Sequence, residues 1–214
     1  NEIANTTAHN FLNYLNTSSN LKFLTIGPDF SLGKNKEGNI NYLNEMQNIF
    51  DYNLHITKPY LSQKQIVSST LIKKLINQKN IIEANKCLGY FYNLTGKVVK
   101  GENRGKALDM PTANLLINQK KFIPPESIYA CKVKYKNKKY IGALSIGKNP
   151  TFGNNNPLSI EVHIVDFSKS LYNETLTIEI HKHIRDQITY SDIIKLKEQM
   201  QKDLNNIKKY FKNE

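Results

Sequence analysis

With 214 residues, 39% of them hydrophobic and 22% charged, the chain can bury one good core or two small ones. No run approaches the ~20 apolar residues of a membrane span, and the opening Asn1-Glu-Ile-Ala-Asn5 lacks the charged-then-apolar layout of a signal peptide. The formal charge of +12 admits two explanations. One is an anionic partner, either nucleic acid or a phosphorylated small molecule; the other is the Lys, Asn and Ile bias of an AT-rich genome. The lysines are scattered without a block of five or six, so charge alone decides nothing.

In chain order, residues 8–18 read as a short helix and Lys22 to Ile26 as a strand, followed by the loop Gly27-Pro-Asp-Phe-Ser-Leu-Gly33. Ile40, Leu43, Met46 and Ile49 have helical spacing, and Asn53 to Thr57 suits another strand. Ser68-Ser69-Thr70 offers N-cap hydroxyls to one helix running to about Cys87, with Leu71, Leu75 and Ile82 on its apolar face. Alternating helix and strand suggests an α/β piece with no obvious first strand. Near residue 92 the texture changes to strands, giving expected domains of 1–91 and 92–214.

Tyr129, Cys131, Val133 and Tyr135 alternate with Ala130, Lys132 and Lys134, and Lys136-Asn-Lys-Lys139 reads as a turn into Tyr140 to Ile146. Leu158, Ile160, Val162 and Ile164 form one face of a further strand; Leu176, Ile178 and Ile180 form one face of the next. Short strands at this spacing argue for a small antiparallel barrel. A final helix from about Ser191 to Phe211 carries Ile193, Leu196, Met200, Leu204, Ile207 and Phe211 as one stripe. The fold class expected is α+β. Cys87 and Cys131 lie far apart in helix and strand, which suits buried reduced thiols better than a disulfide or a metal site.

The segment Gly101-Glu-Asn-Arg-Gly-Lys-Ala-Leu-Asp-Met-Pro-Thr-Ala-Asn114 carries the most chemistry. Gly101 and Gly105 permit backbone N–H groups to close around an anion, and Arg104 and Lys106 add positive charge. Thr112 and Asn114 stand two apart, so in an extended segment both leave from one face, offering a hydroxyl and an amide oxygen to a hard cation such as Mg²⁺. Glu161 lies on the polar face of its strand with Ser159 and His163, either as a solvated position or as a general base. Arg185 follows the last strand as a surface charge or as a contact for an anion or ring.

Several runs together give a resemblance: Thr95-Gly-Lys-Val-Val-Lys-Gly101, Arg104-Gly-Lys106, Pro111-Thr-Ala-Asn114, Ile146-Gly-Lys-Asn-Pro-Thr-Phe152, Glu161-Val-His163 with Asp166-Phe167, Leu171-Tyr172 and Ile184-Arg185. From Leu94 to Leu204 the chain resembles the riboflavin kinase module of the bacterial bifunctional riboflavin kinase/FAD synthetases. The resemblance implies a six-stranded antiparallel barrel with a C-terminal helix, and ATP-dependent phosphorylation of riboflavin to FMN with Mg²⁺. It implies that Gly101, Gly105, Lys106, Thr112 and Asn114 bind ATP, with Thr112 and Asn114 also holding the metal. Glu161 then takes the proton of the ribityl 5′-hydroxyl, while Asn149, Thr151 and Arg185 contact the flavin. The partners implied are small molecules (riboflavin, ATP, FMN), with no nucleic acid, membrane or obligate protein partner, in the cytoplasm. The chain departs from the family at Asp109, where glycine is usual, and at Ser127-Ile128-Tyr129, where Gly-Val-Tyr is usual.

Residues 8–89 resemble the later portion of the FAD synthetase domain, a Rossmann-like nucleotidyltransferase, through Ile26-Gly-Pro-Asp-Phe-Ser-Leu-Gly33, Gly38, Val67-Ser-Ser-Thr70 with Ile72-Lys73, and Leu88-Gly89. Ser68, Ser69, Thr70 and Lys73 are the remnant of its nucleotide motif, with Lys73 where arginine is usual. The family's opening strand and its histidine-bearing phosphate loop would precede residue 1. The chain also begins with Asn rather than Met. The expectation is a processed product or a piece of a longer protein, with FMN adenylylation only in a complete parent. Two other readings are a basic barrel binding single-stranded nucleic acid with tyrosines as stacking platforms, and a flavin-binding module without kinase activity.

Overall fold

Two different periodicities build this chain, helical before residue 89 and alternating after it, and the packing follows them only in part. The computed structural model describes residues 5–62, 65–101, 109–148, 158–190 and 192–213. They fall into two compact units, Asn1–Val67 and Ser68–Glu214.

In the first unit, α1 (Ala8–Ser19) is capped by Thr7 and α2 (Ile40–Phe50) by Asn39, each side-chain oxygen accepting a first-turn N–H. β1 (Phe23–Ile26) and β2 (Asn53–Ile56) pair in parallel from Phe23 opposite Asn53 to Ile26 opposite Ile56, with α2 in the crossover. Ala8, Leu12, Ile26, Leu32, Leu43, Phe50 and Tyr52 form the core. A two-residue ladder, β3 (Leu61–Ser62) with β4 (Gln65–Ile66), is too short for its alternation to show in the sequence.

The second unit opens with a correction. The single helix expected over 70–87 is two, α3 (Ser69–Asn77) and α4 (Ile81–Leu88). The break falls at Lys79, whose φ of 61° is left-handed. Ser68 caps α3, its hydroxyl accepting the Leu71 N–H at 3.2 Å, and Asn80 caps α4.

Six strands follow: β5 (Asn93–Val99), β6 (Thr112–Ile117), β7 (Ser127–Tyr135), β8 (Lys138–Gly147), β9 (Ser159–Ile164) and β10 (Thr175–Asp186). They close a barrel in the order β10-β5-β6-β9-β8-β7, all neighbours antiparallel. Leu94, Val98, Leu115, Tyr129, Cys131, Val133, Leu144, Ile146, Val162, Ile178 and Ile180 point inward, and Ile76, Ile81 and Ala84 of the helix pair join the same core. Burial in this interior pushes the Tyr129 phenol up to about 12. Asn85 fastens α4 to the barrel seam: its amide N–H₂ donates to the Ile180 carbonyl at 2.9 Å, and its amide oxygen accepts the Tyr92 N–H at 2.8 Å. Packing therefore divides the chain at Val67/Ser68, while the change of texture near residue 92 lies inside the second unit, where α4 hands over to β5.

The last helix, α5 (Ile193–Lys212), is capped by Asp192 and lies against β8 and β10. Met200 and Leu204 pack with Met110, Val165, Ile141 and Ala143. The expected stripe holds from Met200 onward, but Ile193 is 60% exposed. Asp203 interrupts that stripe yet is buried, because Arg185 on β10 grips it with two nitrogens: Nε lies 3.0 Å from both carboxylate oxygens and Nη2 2.7 Å from Oδ2. Elsewhere on the outer wall, buried Glu179 lies between Lys134 (2.6 Å) and Lys139 (3.1 Å). Burial raises its carboxyl, but the two ammonium groups outweigh this and hold it below the usual carboxylate range.

Two stability measurements follow from these pairs. Asp203→Ala strands a mostly buried guanidinium and is expected to cost about 3–5 kcal/mol in denaturant unfolding, with the apolar double variant Arg185→Met/Asp203→Leu recovering much of it. Because the folded-state value of Glu179 is depressed, its stabilisation is present above the unfolded carboxyl value, near ~4.3, and is lost as pH falls through the lower folded value. Glu179→Gln is therefore expected to cost about 1.5–3 kcal/mol at pH 7 and progressively less in acid, read from melts across pH.

Candidate active site

β6 starts directly after Pro111, and its register with β9 sets Thr112 opposite His163, Ala113 opposite Val162 and Asn114 opposite Glu161. Opposed residues share a face. Ala113 and Val162 turn toward the core, so Thr112, Asn114, Ser159, Glu161 and His163 all stand on the outer wall.

The Glu161 carboxylate is held at both oxygens. Thr112 Oγ1 donates to Oε2 at 2.9 Å, and Ser159 Oγ donates to Oε1 at 2.9 Å. Ser159 Oγ also lies 3.4 Å from Asn114 Oδ1. His163 Nδ1 meets the Pro111 carbonyl at 2.9 Å, and because a carbonyl only accepts, Nδ1 carries the hydrogen. That bond secures the entry to β6. Beside the group opens a cavity of about 520 Å³, lined among others by Val98, Gly101, Thr112, Asn114, Phe167 and Tyr172. Its volume suits a small-molecule site.

Gly101 earns its place by close approach. A methyl group there would stand 2.0 Å from Asn114 Nδ2, so only glycine lets the loop's first residue lie against that amide. Gly105, Lys106, Asn149 and Thr151 lie outside the described residues.

Arg185 shares a level of the barrel with Glu161. Pairing runs from Glu161 to Ser145, from Ser145 to Ile128 and from Ile128 to Arg185, one strand at a time. Three strand spacings amount to roughly 14 Å along the wall. The structure thus brings together Gly101, Thr112, Asn114 and Glu161, and sets Arg185 three strands away in the closed six-stranded barrel, on the opposite side and at the same level, bound to Asp203 of α5 and, through Nη1, to the Asp186 carbonyl at 2.8 Å. On α3, the Ser68 hydroxyl is engaged in capping and the Lys73 ammonium lies 6.0 Å from the Phe122 ring centre.

Among the described residues no group of three or more His, Cys, Asp or Glu side chains is arranged to hold a metal ion, and no helix is long and apolar enough to cross a membrane. The β6–β9 wall instead offers a neutral hydroxyl and a neutral amide beside one carboxylate, hard oxygen donors that suit a cation already carrying anionic ligands.

A family model described as riboflavin kinase matches residues 88–211. The chain belongs to the riboflavin kinase family. A second model, FAD synthetase, matches residues 1–71. Among curated relatives, the bifunctional riboflavin kinase/FMN adenylyltransferase of Buchnera aphidicola subsp. Schizaphis graminum is 36% identical over 93% of this chain and 64% of its own length. That of Listeria monocytogenes is 32% identical over 93% and 63%. The chain therefore spans less than two thirds of these relatives. A solved Streptococcus pneumoniae structure, described as a macrolide-efflux protein, superimposes with a TM-score of 0.84 at 30% identity, over 97% of this chain and 66% of the other.

Both departures from the riboflavin kinase pattern have a physical setting. Asp109 sits at φ 60°, a left-handed position where glycine is the unstrained residue and aspartate among the better-tolerated substitutes. Its exposed carboxylate pairs with Lys197 of α5 at 2.8 Å, and the hydrogen bond and charge of that lysine hold it below its usual range. Ser127 is fully buried, and its hydroxyl lies 3.3 Å from Asp186 Oδ1, the carboxylate that also binds Lys79 and His183.

Sequence reasoning gave no role to Ser159 on this wall or to Asp203 on α5. Ser159 was legible only as a polar neighbour two places from Glu161. The signal for Asp203 was an acid inside an apolar stripe. Gly101→Ala is expected to displace Asn114 and cost about 1–3 kcal/mol, as overpacking does. Adding Asn114→Ala should relieve the clash, giving a non-additive double-mutant cycle in thermal melts.

Proposed function

We propose that this chain phosphorylates riboflavin to FMN at the expense of ATP, and that the observation carrying this reading is Glu161. It is a carboxylate held at both oxygens, one of them by Thr112, which with Asn114 lines a cavity of small-molecule size. In the reaction the ribityl 5′-oxygen bonds to the γ-phosphorus, the bond from that phosphorus to the β–γ bridging oxygen breaks, and ADP leaves with the electron pair. Glu161 accepts the proton that the 5′-hydroxyl gives up, and the bonds from Thr112 and Ser159 fix the direction of its lone pairs. Gly101 at the start of the loop, with Gly105 and Lys106 further along it, receives the phosphates.

Thr112 and Asn114 fit Mg²⁺ as neutral oxygen donors, leaving the charge balance to the nucleotide, and the ion would neutralise negative charge on the transferred group. Arg185, with Asn149 and Thr151, serves the flavin side. Its contacts to Asp203 and the Asp186 carbonyl occupy three of the five guanidinium N–H groups and leave two for a ligand.

The reading as a flavin-binding module without kinase activity has Asp109 as its sequence argument. That carboxylate is engaged with Lys197 on α5, which removes the argument. The FAD synthetase match over residues 1–71 and the bifunctional relatives support a longer protein that also adenylylates FMN. The two cysteines are free and buried, in keeping with a reducing, cytoplasmic setting.

The test is Glu161→Gln, which keeps the shape and removes the base. ATP-dependent FMN formation is expected to fall ~10²–10⁴-fold with the melting temperature little changed. Retention of wild-type FMN formation by a folded Glu161→Gln protein would falsify the assignment.

A further inference from the structure

The Ser159 hydroxyl faces two acceptors at once, Glu161 Oε1 at 2.9 Å and Asn114 Oδ1 at 3.4 Å, yet it has a single hydrogen to give. The carboxylate is closer and charged, so it takes that hydrogen. Toward Asn114 the serine oxygen can then act only as acceptor, which is satisfied when the amide presents its NH₂. The two ends of a side-chain amide are equivalent in shape and are assigned by such partners. The structure sets Oδ1 toward Ser159 and Nδ2 toward Gly101; exchanging these two ends gives Ser159 the NH₂ and turns the amide oxygen toward Gly101, where the glycine leaves no Cβ in its way.

Building on the kinase reading, we propose that Ser159 is a positioning residue that sets two groups together. Its hydrogen orients the Glu161 carboxylate, and its lone pair orients the Asn114 amide so that oxygen, not nitrogen, faces the cation and phosphates. Thr112 cannot take over this role, because its own hydrogen goes to the other carboxylate oxygen.

Ser159 lies within β9, where threonine and valine are both good strand residues of nearly equal shape, so the pair isolates the hydroxyl. The experiment compares Ser159→Thr and Ser159→Val in the 214-residue protein, reading kcat and KM for riboflavin, the half-saturating Mg²⁺, and Mg²⁺-ADP binding by calorimetry. Outer-shell orienting partners are typically worth about 10–100-fold. Ser159→Val is therefore expected to lose at least about tenfold in kcat and to need several-fold more Mg²⁺, with KM for riboflavin within about twofold, while Ser159→Thr stays within about threefold of wild type on every readout.

Equal kcat and equal Mg²⁺ dependence in the threonine and valine proteins overturns the proposal. So does a loss in the valine protein confined to KM for riboflavin. If the wild-type chain makes no FMN but binds Mg²⁺-ADP, the kinase reading fails on its own, and the amide-orienting half of the proposal is judged by whether valine alone weakens that binding. If the wild type neither turns over nor binds Mg²⁺-ADP, both ideas fall.

Discussion

The outer wall of the barrel depends on one register, Asn114 opposite Glu161 across β6 and β9. Side chains alternate with a period of two, so a one-residue slip of β6 would send Thr112 and Asn114 inward and turn Ala113 and Leu115 out toward solvent. Burial of Leu115, Val162 and Ile164 in the core resists that slip. The apolar interior thus fixes the relative placement of three polar side chains that leave from the other face of their strands, and the Glu161 bonds to Thr112 and Ser159 refine an arrangement already imposed by packing.

The C-terminal helix supports the same wall. Met110, the residue just before Pro111, is buried against Leu204 and Val165, while its neighbour Asp109 reaches Lys197. The chain at Asp109 and Met110 is therefore moored to α5 immediately before β6 begins. On the far side Arg185 and Asp203 pin α5 to β10, next to a register shift between His183 and Arg185. Such bulges re-aim side chains along a strand. Loop exit, helix and Arg185 are mechanically continuous even though their residues lie far apart in the sequence.

Much of this was legible because alternation and capping are local signals. Tyr129 to Tyr135, Tyr140 to Ile146 and Leu158 to Ile164 announced their inward faces, and Ser68 announced a cap. Thr112, Asn114 and Glu161 could each be placed on a face by counting twos. What stayed hidden was non-local. Nothing near Asp203 says that an arginine 18 residues earlier will bury it, and nothing near Ile193 says that the first turn of its helix overhangs solvent. Lys79 breaks a helical pattern without a glycine or proline to mark the break. The pairing of β5 with β10, which closes the barrel, is a property of the whole chain and not of either strand.

That closure also has a timetable. Asn85 donates to the carbonyl of Ile180, 95 residues further along, and so joins the barrel's first strand to its last across the seam. A chain emerging from the ribosome at ~5–20 residues per second makes α4 roughly 5–20 s before its partner on β10 exists. Through that interval the apolar face of Ile76, Ile81 and Ala84 has no barrel to cover it. During that interval aggregation and chaperone capture at the helix pair compete with folding, until β10 is made and the barrel can close over it.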